Sequence, residues 1–108
     1  MFIKSVEDLL GYHESIRFSN HGLREAHKES LRANEIFHAI FHGEILEHYR
    51  RRRRLLIVGP VPRLDLPIHV VCDYSDPQEI VVITVYVPDK PRWVNELVRN
   101  TILSGSGA

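Results

Sequence analysis

Seven histidines, four tyrosines and an unbroken run of five arginines (Arg50, Arg51, Arg52, Arg53 and Arg54) hold most of the chemistry this chain can do. Imidazole exchanges protons near neutral pH and so serves as general acid or base, while the guanidinium fork fits the oxygens of a phosphate. Metal-free cleavage of RNA needs such a set: a base for the 2′-hydroxyl proton, an acid for the departing 5′-oxygen and cations for the charge gathering on phosphate. His69, in the run Pro67-Ile68-His69-Val70-Val71, and His21 are the acid or base candidates. Glu25 stands four residues after His21, on the same face of a helix, as base or orienter. Tyr86 supplies a hydroxyl, and Arg54 or Arg63 a phosphate ligand. The expected catalytic set is therefore His69, Tyr86, His21 and Glu25. Arg50 to Arg54, with Arg63, form the expected nucleic-acid contact.

Each of these residues also has a structural reading. A histidine on a β-branched strand can be a packed, hydrogen-bonded sheet residue, and His21 with Glu25 can be a helix histidine tied down by a carboxylate. The arginine run can blunt a strand edge or hold an acidic partner, since cationic edges resist strand-to-strand association. His38 and His42 are four apart and could chelate, but they lie opposite the apolar stripe Ile36, Phe37, Ile40 and Phe41, and no third ligand accompanies them. No metal or cofactor is expected.

The length of 108 residues fits one domain, read as residues 1–103 with a Gly/Ser tail at 104–108. The apolar fraction of 44% and charged fraction of 26% are those of a globular chain. Fourteen basic and fourteen acidic residues cancel, so a local patch rather than a whole-molecule field must attract any nucleic acid. No apolar run is long enough to span a bilayer, the N-terminus lacks a secretory signal pattern, and the single Cys72 makes no internal disulfide; these point to the cytoplasm.

The elements that must position the candidates divide near Gly43. Before it, Ser5 can cap a helix over 6–14, Ser19 a second over 20–30, and the Ile36/Phe37/Ile40/Phe41 stripe marks a third, with Gly43 as a left-handed C-cap. After it, β-branched runs predict strands at 44–50, 53–59, 68–74 and 79–87, joined by short links into an antiparallel meander. Asp89 can cap a last short helix carrying Trp93, Leu97 and Val98 inward. The fold class is α+β: two or three helices on one face of a four-stranded antiparallel sheet. Alternation turns Ile68, Val70 and Cys72, with Val81, Ile83, Val85 and Val87, toward the helices. His69, Thr84 and Tyr86 then share the open face, His69 near Thr84 with Tyr86 on the diagonal, while His21 belongs to the helix layer.

Several segments together resemble a known family. They are Ser19-x-His21 with Glu25, Ile36 to Gly43-Glu44-Ile45 leading to Tyr49, Leu56 to Gly59, the histidine-valine-valine segment, and Ile83-Thr84-Val85-Tyr86-Val87-Pro88-Asp89 followed by Trp93. Over residues 16–97 the chain resembles the family called domain of unknown function 4258. That resemblance implies a small prokaryotic, toxin-like protein whose helices-then-strands order is similar to the RelE and barnase class of ribonucleases. It further implies RNA as the substrate and an antitoxin-like protein as partner. Glu25 and Glu29 stand where many members carry arginine, which removes a basic helix from the site. The other function class open to these residues is a non-catalytic module that holds a protein or RNA on the same surface.

Overall fold

Residues 2–88 are described by a computed structural model. Ser5 begins the first helix, its hydroxyl accepting from the Asp8 N–H at 3.2 Å, and α1 spans Val6–Gly11. A short strand β1 follows at Ser15–Phe18. Ser19 caps α2 (Asn20–Lys28) by accepting from the Gly22 N–H at 2.9 Å. The Glu35 carboxylate reaches back to the Arg32 N–H at 2.9 Å and closes the first turn of α3 (Ala33–Phe41). Four strands complete the described chain: β2 (Glu44–Tyr49), β3 (Arg54–Val61), β4 (Leu66–Asp73) and β5 (Glu79–Tyr86).

The sheet has five strands in the order β1-β5-β4-β3-β2, and it is mixed. Neighbours from β2 to β5 pair antiparallel as the short links require, but β1 pairs parallel with β5, Ile16 opposite Ile80. The expected four-stranded antiparallel sheet is corrected on this point. Four residues give too short an alternation to stand out, yet Ile16 and Phe18 do pack on the core while Ser15 and Arg17 point away. α1 is also shorter than expected, because the chain must leave the helix at Gly11 to reach the sheet edge. The expected C-terminal helix and the tail at 104–108 lie outside the described residues.

All three helices cover one sheet face, α2 over β5, α3 over β3 and α1 against α3. Leu9, Ile36, Ile40, Leu55, Ile57, Val61, Ile68, Val70, Ile80, Val82 and Val85 are the large side chains fully enclosed there. Each such burial stabilises the fold by about 1.5–3 kcal/mol before chain entropy is counted. The stripe on α3 is Ile36, Ala39 and Ile40; Phe37 packs on Phe18 with ring centroids 5.4 Å apart, and Phe41, expected inside, is 54% exposed at the end of the helix.

One β-bulge explains the other difference. The register passes from Val71 opposite Thr84 to Cys72 opposite Val82, so Ile83 is an extra residue on β5. Beyond the bulge Val85 and Val87 face inward as alternation predicts; before it, the inward set is Ile80 and Val82 rather than Val81 and Ile83. The bulge also sets His69 directly opposite Tyr86. A second correction concerns Gly43. No glycine among the described residues has positive φ, and left-handed backbone falls on Ser30, Arg53 and Asp65. Gly43 is there for space: a Cβ would lie 2.4 Å from the Ala39 carbonyl oxygen and 2.6 Å from that of Val58.

Cys72 is enclosed among these side chains, and burial pushes its thiol up to about 12. Maleimide should therefore label the native protein far more slowly than the urea-unfolded chain. Equal rates in the two states would place Cys72 outside the core.

Candidate functional site

The β2–β3 connection gathers the arginines. Arg50–Arg52 form a single 3-10 turn, which Arg53 closes in left-handed conformation at φ 53°. Its carbonyl accepts from the Tyr74 N–H at 2.9 Å, which fixes the turn beside the end of β4. The run is thereby divided. Arg54, already in β3, donates to the Asp73 carboxylate at 3.1 Å, whereas Arg50, Arg51, Arg52 and Arg53 are exposed. Among the described residues no carboxylate lies within ion-pair distance of those four, so their charge stays available to an anion.

Beside this turn stand a phenol and two imidazoles. His48 lies opposite Leu55 and Tyr74 follows Cys72 by two, so both fall on the helix side of the sheet. The Tyr74 hydroxyl and His48 Nε2 are 2.6 Å apart. Burial, and then the positive charge of Arg50, hold the His48 imidazole below its usual range, which favours the uncharged ring, whose Nε2 can accept a hydrogen bond from the Tyr74 hydroxyl. His13 also meets the Tyr74 ring in a T-shaped contact, centroids 6.4 Å apart, with its Nδ1 donating to the Leu9 carbonyl at 2.7 Å. Its Nε2 is buried without a hydrogen-bond partner among the described residues.

Arg50, Arg53, Tyr74, Ser75 and Pro77 line one open cavity of about 460 Å³. Tyr74 thus joins a space lined by Arg50 and Arg53, neither of them ion-paired, to His48. Asp73, though adjacent in sequence, is occupied: burial alone would raise its carboxyl, but the Ser75 hydroxyl and N–H and the Arg54 guanidinium outweigh that and keep it below the usual carboxylate range.

The residues expected from sequence fall in other places. His69 and Tyr86 meet, both half-buried, on the sheet face away from the helices, Nδ1 to hydroxyl 3.2 Å and rings 5.2 Å apart. The arginines described on that face, Arg17 and Arg54, are paired with Glu79 and Asp73. His21 and Glu25 are 3.7 Å apart on α2, in the helix layer on the far side of the sheet from His69, and Glu25 also takes Lys28 at 3.3 Å. Arg63 donates to Glu35 at 2.7 Å and to the Ser30 carbonyl at 2.9 Å, a clamp between the β3–β4 turn and the start of α3. The His38 and His42 rings meet at a tilt of 42°, centroids 4.3 Å apart, and no group of three metal-binding side chains occurs among the described residues.

His48 and Tyr74 are the residues that sequence reasoning passed over. The signal was available: alternation through Ile68, Val70 and Cys72 continues to Tyr74, and His48 precedes the arginines by two.

Residues 18–87 match the family described as Domain of unknown function (DUF4258). The chain belongs to this family. The matched span contains β2 to β5, and with them the arginine turn, His48, Tyr74 and the His69–Tyr86 pair. Among solved structures, this DUF4258 chain is similar to the 1.1 Å crystal structure of the Brucella abortus ribonuclease toxin BrnT, with a TM-score of 0.54 over 71% of this chain and 99% of that one. Sequence identity is 15%, so the likeness is one of fold. No curated protein matches the chain. No helix among the described residues is long and apolar enough to cross a membrane.

Proposed function

We propose that this protein is a toxin-like, metal-independent ribonuclease that engages RNA at the arginine turn. One observation carries the reading: Arg50, Arg53 and Tyr74 line the same cavity, and the Tyr74 hydroxyl lies 2.6 Å from Nε2 of His48, whose pKa is held down. A phosphodiester held by the two guanidiniums meets the phenol. His48 then draws the phenolic proton as the phenol takes the one leaving the 2′-hydroxyl, and the oxygen attacks phosphorus. The guanidiniums stabilise the charge that gathers on the phosphate, and the departing 5′-oxygen takes its proton from water. DUF4258 membership and the fold shared with a ribonuclease toxin support the reading, and an antitoxin-like protein is the partner it entails.

The second reading keeps His69 and Tyr86 as the acid and base on the open face, or as part of a surface that holds a partner without chemistry; their direct contact at 3.2 Å favours it. Incubation of purified protein with total RNA separates the two. Arg50→Ala/Arg53→Ala should abolish cleavage and, in binding to a single strand, reduce the salt slope by about 0.7, for the one phosphate no longer neutralised. His69→Ala should cleave as the parent does. Loss of cleavage in His69→Ala with the arginine variant unaffected moves the chemistry to the open face.

A further inference from the structure

Phe2 is 61% exposed, yet the chain that follows it is fixed. Ile3 is 2% exposed in the core, and the Lys4 N–H donates to the Asp8 carboxylate at 2.9 Å, so the ring projects from an anchored segment. Two cations attend it: Lys4 Nζ lies 5.2 Å and the Arg50 guanidinium carbon 5.3 Å from the ring centroid. Arg50 also lines the arginine-turn cavity, so one residue borders both an exposed aromatic ring and the space assigned to a phosphate.

An exposed aromatic ring flanked by cations, next to a phosphate-binding cavity, is the arrangement by which proteins hold single-stranded nucleic acid: bases stack on the ring and the backbone tracks the positive charge. Stacked, paired bases in a duplex cannot offer a face to such a ring. Resting on the reading of the arginine turn as the phosphate site, we propose that Phe2 is a base-stacking platform that selects RNA carrying an unpaired base beside the bound phosphate. Lys4 and Arg50 both border the ring, so the incoming base displaces one cation, which is then free for the backbone.

The test is fluorescence anisotropy with one labelled RNA oligonucleotide, single-stranded and annealed to its complement, against the full chain, Phe2→Ala, Phe2→Leu, Phe2→Trp and Arg50→Ala/Arg53→Ala. Phe2→Ala and Phe2→Leu should each weaken single-strand binding about 10-fold or more while leaving duplex binding unchanged, and Phe2→Trp should retain it. The Leu variant keeps apolar bulk without a π-face, so parental affinity in Phe2→Leu overturns stacking. Unchanged single-strand affinity in Phe2→Ala, with weaker binding by the arginine variant, removes the platform and leaves the arginine turn standing. No RNA binding by the parent, or none that the arginine variant diminishes, removes both.

Discussion

Tyr74→Phe should lower RNA cleavage by about 10² or more, the usual scale of a positioned proton-transfer group, while RNA binding and thermal stability change little. The substitution removes only the hydroxyl that His48 meets at 2.6 Å and keeps the ring against His13. Its pH signature is distinctive. Proton transfer toward His48 requires the neutral imidazole, so the rate should rise with pH through the His48 pKa and level off above it. Burial and the Arg50 charge hold that pKa down, so the rise should lie on the acid side of the ordinary imidazole value of about 6.5. Arg50→Ala takes away the second of these causes. An NMR titration of the His48 ring in that variant should move upward toward the ordinary value, because protonation no longer opposes a neighbouring cation. A Tyr74→Phe protein that cleaves like the parent would exclude the phenol from the chemistry.

Gly59→Ala should cost about 3 kcal/mol or more, the range reserved for overpacking where nothing yields. A Cβ at Gly59 would fall 1.9 Å from the Ala39 carbonyl oxygen, 2.5 Å from its carbon and 2.8 Å from its Cα. All three atoms are backbone, so relief requires α3 to lift from β3, and with it Ile36 and Ile40 from the core. At about 4–8 °C per kcal/mol for a domain of this size, the thermal midpoint should fall by about 12 °C or more. An unchanged midpoint would mean that α3 does not lie directly on β3.

Gly59 also shows how sequence misleads. Gly59-Pro60-Val61-Pro62 has the composition of a break, yet β3 runs through Gly59 and Pro60 to Val61, with Pro60 opposite Pro67. The glycine serves helix approach rather than a turn, a tertiary need that no local pattern announces. The caps at Ser5 and Ser19 and the alternation on β4 were legible because each is satisfied within a few residues. The bulge at Ile83 and the parallel pairing of β1 were not, since both depend on a partner strand. The site divides on the same line. The arginine run is plain in the sequence, but which arginines remain free is decided by Asp73, nineteen positions on from Arg54, and by Glu35, twenty-eight from Arg63. His69 and Tyr86 drew notice through the segments that carry the family resemblance, whereas His48 and Tyr74, twenty-six residues apart, become a pair only in the folded sheet.

Where RNA sits on this protein is read most directly by a ¹⁵N–¹H NMR titration of the full chain with a single-stranded RNA oligonucleotide protected from cleavage by 2′-O-methylation. The amide resonances of Arg50, Arg53, Tyr74 and Ser75 should shift with increasing RNA, and those of His69, Val71 and Tyr86 across the sheet should stay in place. Shifts confined to His69, Val71 and Tyr86, with the arginine turn silent, would contradict the assignment.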